Sequence, residues 1–354
     1  MSAAGLLLIR ADAGTQMGTG HVMRCLALAQ HWRDAGGEVM FVTACDTPAL
    51  LERLNAESSA LLEPGADPAS EADALDLVRL ARRHGAVLIA LDGYHFSPDY
   101  QRAVKTAGIP LLLFDDEGNR PDYFADLLLN QNAHARQELY GERARGARLL
   151  LGTQYALLRR EFSSRVGEPR SIPRQADKLL ITMGGSDPDN VMEKTIRALS
   201  ACRTKPSEVR ALVGAANPHR QSLEAAVADS GVAVKLEEPT EDMAEIMAWA
   251  DFALTGAGTT LWELAFMGVP FAMLELVDHQ RKVAAAVDAQ GAGVNLGWHA
   301  SLTPPDVAGA LQTLLHDAGR RRAMSEAGRR LVDGLGPARV VTAIWELIHS
   351  GLRA

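Results

Sequence analysis

Apolar positions along this chain change period many times. Short runs of branched and aliphatic residues, Leu6–Arg10, Glu38–Thr43, Val87–Asp92, Leu111–Asp115 and Leu127–Leu129, predict buried β-strands. Between them the period lengthens to that of a helix: Val22, Cys25, Leu26, Ala29 and Trp32 fall on one face, predicting a helix over Val22–Trp32. Pro98–Ala107 reads as another, stopped at Gly108. Strands that alternate with helices predict right-handed βαβ units and parallel sheets covered on both faces.

The periodicity lapses at Ser163–Ala176, "SSRVGEPRSIPRQA", where Pro, Gly, Ser and Arg dominate and a linker is expected. A second alternating series follows, with strands expected at Lys178–Met183, Glu208–Val213, Val232–Leu236, Asp251–Thr255 and Pro270–Leu276. From Pro304 onward the pattern is helical only. The expectation is two α/β domains, residues 1–163 and 177–354, joined by a linker at about 164–176. Ligands of open parallel sheets bind beyond the carboxyl ends of the strands, which predicts a site in the cleft between the domains.

The 354 residues suffice for two cores, and 47% hydrophobic with 23% charged residues is ordinary for a globular protein. A formal net charge of −8 argues against general binding to nucleic acid or anionic membrane. Three cysteines, Cys25, Cys45 and Cys202, suit reduced thiols better than a disulfide framework. The run Leu6–Ile9 is too short for a signal sequence or a membrane span. A cytoplasmic protein without stable membrane association is expected, with a monomer as the working oligomeric state.

Four strand ends carry residues that a packed core does not require. The first runs from Arg10-Ala11-Asp12 to Gly18-Thr19-Gly20-His21-Val22-Met23-Arg24. It lacks the Gly-Lys-Ser/Thr of a P-loop, and Met23 replaces the third glycine of a dinucleotide fingerprint. Gly18 and Gly20 would still let backbone approach a ligand closely. His21 falls in the first turn of the helix, where the dipole disfavours an imidazolium and leaves a ring able to accept a proton. A lone histidine more often caps or packs; the flanking glycines and the strand-end position favour catalysis here. Arg10 or Arg24 can supply positive charge to a diphosphate, or pair with Asp12.

The second stretch is "ITMGGSDPDN", Ile181–Asn190, in which Gly184-Gly185 and a helix start form an anion-binding turn. Asp187-Pro188-Asp189 spells the D-x-D of metal-dependent transferases, but helix capping by Asp187 or Asp189 is the better reading. The third is "TGAGTTLWELAFMGVP", Thr255–Pro270. A strand ends at Gly256, amides of Gly258, Thr259 and Thr260 can hold a diphosphate, and Glu263 lies where a carboxylate reaches ribose hydroxyls. Glu263 also suits a plain first-turn acid. The fourth gathers "LDGYHF", "FDDEGN" and "LLNQNAHA". Asp92, Asp115, Asp116 and Glu117 are oxygen ligands that Mg²⁺ accepts, though acids lining a cleft are equally ordinary. Tyr94, Asn130 and Asn132 look like readers of a sugar.

Together "RAD…GTGHVMR", "DGY", "FDDE", "LLNQNA", "GGSD" and "GAGTTLWELAFMGVP" resemble, in order over residues 6–290, the UDP-2,4-diacetamido-2,4,6-trideoxy-β-L-altropyranose hydrolases of pseudaminic acid biosynthesis and the related spore-coat polysaccharide proteins. The resemblance implies a GT-B fold of two Rossmann-like domains, with UDP held mainly by the C-terminal one. It implies cleavage of the anomeric C–O bond by water with inversion, and neither metal nor cofactor. Catalytic roles would fall to His21 as base and to Tyr94, with Asp12 either orienting His21 or competing with it. UDP contacts would fall to Gly184, Gly185, Gly256, Gly258, Thr259, Thr260 and Glu263. Sugar or diphosphate contacts would come from Arg10, Gly18, Gly20, Arg24, Asn130 and Asn132. A last helix crossing back to the first domain is common in GT-B proteins. A transferase of the same fold is the rival reading, with an acceptor in place of water.

Overall fold

The computed structural model describes residues 5–14, 17–238 and 242–351. The chain divides into two compact units, one of Met1–Arg160 with Leu335–Ala354 and one of Glu161–Gly334.

The first unit holds a seven-stranded parallel sheet. Its strands are β1 (Leu6–Ala11), β2 (Glu38–Val42), β3 (Ala60–Leu62), β4 (Ala86–Asp92), β5 (Leu111–Phe114), β6 (Leu127–Asn130) and β7 (Arg148–Leu151), in the order β3-β2-β1-β4-β5-β6-β7. Both faces of β1 are buried, and side chains alternate between two cores. Leu7 and Ile9 join Leu26, Trp32 and Leu88 on one face, while Leu6 and Leu8 join Leu77, Ile89 and Phe96 on the other. The first core also takes Val340, Val341 and Ile344 of the final helix, Gly336–Gly351, and Trp345 stacks on Trp32 with ring centroids 5.5 Å apart.

The second unit holds a six-stranded parallel sheet. Its strands are β8 (Lys178–Thr182), β9 (Glu208–Leu212), β10 (Val234–Glu237), β11 (Phe252–Gly256), β12 (Phe271–Glu275) and β13 (Val294–Trp298), ordered β10-β9-β8-β11-β12-β13. Every strand expected from periodicity is present within two residues at each end. Three were not anticipated: β3, β7 and β13, all at sheet edges. β3 and β7 offer apolar runs of only three residues, Ala60–Leu62 and Leu149–Leu151, and β13 is interrupted by Asn295 and Gly297, so none stands out as a strand.

In each unit the strand order reverses at one place, between β1 and β4 and between β8 and β11. Such switch points open a crevice at the carboxyl ends of the two strands. Register pairs Ala11 with Asp92 at the first, and Thr182 with Thr255 at the second. The chemical motifs therefore sit where this topology leaves room for a ligand.

Candidate active site

After β1 the chain folds into a loop in which the Gly18 amide donates to the Gly14 carbonyl at 2.7 Å. Gly18 has φ +76°, a left-handed conformation, and a Cβ there would meet nothing within 4 Å. Its glycine is thus required by backbone angle and not by crowding. The helix Gly20–Asp34 follows, with no side-chain cap from Thr19 and no acid in its first turn. His21 and Arg24 are one turn apart and share a face, so both reach the same carboxylate.

That carboxylate is Asp92, at the end of β4 and fully buried. Its Oδ1 lies 2.7 Å from His21 Nδ1 and accepts from Arg24 Nη2 at 2.7 Å, while Oδ2 accepts from Arg24 Nε at 2.6 Å. Arg24 Nη1 donates to Asp116 Oδ1 at 2.7 Å, so one guanidinium bridges two acids. Asp116 also accepts from Tyr94 Oη at 2.8 Å and from Asn132 Nδ2 at 2.7 Å. Tyr94 closes the circuit, its ring edge-on to the imidazole of His21 with centroids 4.6 Å apart. Tyr94 is 40% exposed, whereas His21 and Arg24 are buried.

Burial would raise both carboxyls, but the Arg24 guanidinium outweighs it and holds Asp92 and Asp116 below the usual carboxylate range. For Tyr94, burial first and the Asp116 charge second push the phenol upward, which keeps its proton in place. His21 Nδ1 lies 2.7 Å from the acceptor-only Asp92 carboxylate and 3.2 Å from the donor-only Arg24 Nη2, so the shorter contact favours a proton on Nδ1 and leaves Nε2 as the basic nitrogen.

Three sequence expectations change here. Asp12 does not orient His21: it accepts from Arg10, from the Ala44 amide at 2.6 Å and from His95 Nε2 at 2.8 Å, and Asp92 takes the orienting place. Of the two roles open to it, Arg10 shows the pairing with Asp12. It is fully buried over the Phe96 ring, paired with Asp12 and with Asp73 at 3.1 Å. Asn130 is fully buried too, donating from Nδ2 to Tyr140 Oη at 2.8 Å and accepting at Oδ1 from the Asn132 amide at 3.0 Å, so its polar atoms are spent on the loop and not turned outward to a sugar. Strand parity carried the signal for all three. Arg10 alternates with Leu6 and Leu8, and Asn130 with Leu128, into the core away from the first helix; Asp92 alternates with Leu88 and Ala90 toward it.

The acids considered for Mg²⁺ are engaged otherwise. Asp92 and Asp116 flank Arg24, Asp115 accepts from the Gly118 amide at 2.7 Å and from Tyr140 Oη at 2.9 Å, and Glu117 accepts from the Asn119 side chain. Among the described residues no group of three or more His, Cys, Asp or Glu side chains is arranged to hold a metal ion.

In the second unit Asp187 caps the helix Val191–Ala201, accepting from the amides of Val191 at 2.8 Å and Met192 at 2.9 Å. This is the capping reading, and it leaves Gly184 exposed and Gly185 half-buried beside the switch point. A Cβ on Gly214, at the end of β9, would fall 2.2 Å from the Gly185 carbonyl oxygen, so only glycine permits that approach. After β11, Gly258, Thr259, Thr260 and Glu263 are half-buried, and the helix Thr260–Phe266 begins without a side-chain cap.

Two such parallel sheets, each with its motifs at a switch point, define a GT-B fold. Among solved structures, the UDP co-structure of S. aureus MnaA matches with a TM-score of 0.71, covering 98% of this chain and 97% of that one at 14% identity. Residues 179–334 match the glycosyltransferase family 28 C-terminal domain. The spore coat polysaccharide biosynthesis protein SpsG of Bacillus subtilis is 25% identical over 96% of this chain and 97% of its own length. The UDP-2,4-diacetamido-2,4,6-trideoxy-beta-L-altropyranose hydrolase of Campylobacter jejuni is 28% identical over 80% of this chain and 97% of its own.

Proposed function

We propose that the protein hydrolyses a UDP-linked 2,4-diacetamido-2,4,6-trideoxyhexose at the anomeric C–O bond, releasing UDP and the free sugar with inversion, in the cytoplasm and toward nonulosonic (pseudaminic) acid. The observation that carries this reading is the His21–Asp92 pair: it fixes a ring with a basic Nε2 at a ligand-binding switch point. The named relative in Campylobacter jejuni supports the substrate class.

UDP is a good leaving group, so its diphosphate needs hydrogen-bond donors more than a strong acid. Amides of Gly184, Gly185, Gly258, Thr259 and Thr260 provide these, and Glu263 reads the ribose. Water attacks the anomeric carbon as an oxocarbenium-like centre forms, and His21 Nε2 takes its proton. The proton-holding imidazolium is balanced by Asp92. Arg24 acts by separating and neutralising Asp92 and Asp116, not by touching the diphosphate. The two-carboxylate scheme of glycosidases is not required.

The match of residues 179–334 to a glycosyltransferase domain favours a second reading, transfer of the sugar to an acceptor. Incubation with UDP-sugars in the presence of EDTA and without acceptor separates the two. Release of UDP and an inverted free sugar, followed by proton NMR of the anomeric signal, supports hydrolysis. Turnover that begins only when an acceptor is added rejects it.

A further inference from the structure

Beyond β4 the strand ladder ends at Asp92, and the carbonyls of the loop that follows need donors from elsewhere. Arg120 supplies them. Its Nη2 donates to the carbonyls of Gly93 at 3.2 Å and Tyr94 at 3.1 Å, and its Nη1 donates to that of Phe96 at 2.8 Å. One planar, charged fork thus fixes the Gly93–Phe96 loop at three points. The fork is itself held. Its Nε lies 3.8 Å from the Asp115 carboxylate, the Arg120 amide donates to Tyr123 Oη at 3.1 Å, and the Arg120 carbonyl accepts from Arg143 Nη1 at 2.8 Å.

Arg120 also joins the two loops that carry the ends of one hydrogen bond. Tyr94 follows β4, Asp116 follows β5 in the same turn as Arg120, and Tyr94 Oη donates to Asp116 Oδ2 at 2.8 Å. Tyr94 is an exposed residue, so the course of its ring depends on where the loop sets its backbone. Asp92 is different: it is fully buried and gripped by Arg24, so its hold on His21 does not pass through this loop. On the far flank His95 Nε2 meets Asp12 at 2.8 Å, which keeps the loop folded while leaving its peptide planes to Arg120.

We propose that Arg120 is a positioning residue: its bonds to the Gly93–Phe96 carbonyls set Tyr94 against Asp116 and beside His21. The inference rests on the hydrolytic reading above in taking Tyr94 as part of the reacting site. A group displaced by about 1 Å costs up to about 100-fold in rate. Arg120→Met, which leaves the carbonyls to water, should therefore lower kcat about 10- to 100-fold and change KM by less than about threefold. In a Tyr94→Phe background the same substitution should cost less than about threefold, because the group it positions is already gone.

Two measurements test this, a kinetic double-mutant cycle over Arg120 and Tyr94 with UDP-2,4-diacetamido-2,4,6-trideoxy-β-L-altropyranose, and ¹⁹F NMR of protein labelled with 3-fluorotyrosine. The Tyr94 resonance is identified by its loss in Tyr94→Phe, and in Arg120→Met it should move toward the position it takes in unfolded protein. Should Arg120→Met lose its cooperative urea transition, Arg120→Lys takes its place, since an ammonium keeps the charge but not the fork. Equal losses of kcat in both backgrounds overturn the inference, because Arg120 would then act without Tyr94. A raised KM with unchanged kcat overturns it as well, making the loop a contact for bound substrate. An unmoved Tyr94 resonance in a folded Arg120 variant does the same and leaves the hydrolase reading standing. A moved resonance in a protein that releases no sugar without an acceptor supports the placement of Tyr94 and sinks the hydrolase reading alone.

Discussion

Replacing Asp92 by Asn removes the charge on which the N-terminal arrangement turns. The carboxylate is fully buried and takes two bonds from Arg24 and one from His21, at 2.6–2.7 Å. An amide of the same shape offers one acceptor atom where there were two, and it confronts the guanidinium with an NH₂. Losing one partner of a buried ion pair typically costs about 3–5 kcal/mol, and because Arg24 keeps Asp116 the lower end, about 3 kcal/mol, applies. For a unit of this size that is a fall of about 6–12 °C in its thermal midpoint. The loss should depend on pH with a definite sign. Burial raises the Asp92 carboxyl, but ion pairing with Arg24 and the hydrogen bond from His21 outweigh it and lower it. A depressed folded-state value gives stability that is present above the ordinary value near ~4 and is lost as pH falls through the folded one. The deficit of Asp92→Asn should therefore be full at pH 7 and shrink below about pH 4. Turnover should fall by about 10²–10⁴, the usual worth of a general base, since Asn no longer dictates which ring nitrogen holds the proton. Urea unfolding at pH 7 and pH 3.5 and steady-state kinetics measure both. A variant within about 0.5 kcal/mol of wild type at pH 7, or one with near-full turnover, would refute the buried-pair reasoning.

Other substitutions separate structural from ligand-facing residues. Arg10→Met should destabilise by about 3 kcal/mol, because Asp12 and Asp73 stay buried without their cation, yet leave UDP affinity by calorimetry unchanged. A weakened UDP complex would return Arg10 to the diphosphate. Asp187→Ala should cost about 1–2 kcal/mol in urea unfolding through the lost cap, with Asp187→Asn milder, since Asn tolerates its left-handed φ of +43°. Gly214→Ala should push the Gly184-Gly185 turn aside and weaken UDP binding about tenfold, whereas a full-affinity variant would remove that turn from the nucleotide site.

Much of this was legible in the sequence because strand ends at a switch point are marked by composition. His21 and Arg24 stood out by their i, i+3 spacing after glycines, and Asp187 by its place ahead of a helix. Their partners were harder to read. His21 and Asp92 are 71 positions apart, and nothing local in "LDGYHF" says which of four acids will meet an imidazole. Arg10, in its diphosphate role, and Asn130 look like ligands because a polar residue at a strand end suggests one. The alternation of Leu6, Leu8 and Arg10 toward a sealed core was the available counter-signal. Edge strands such as β13, half-buried along its length, leave no apolar trace to find.

The central claim is that water, activated by His21, attacks carbon. The most direct measurement is turnover of the UDP-sugar in ¹⁸O-water with mass analysis of both products. The account predicts one ¹⁸O in the released sugar at C1 and none in UDP, with the labelled sugar lost in His21→Ala while UDP affinity persists. Label in UDP would mean attack on phosphorus, and it would contradict the account.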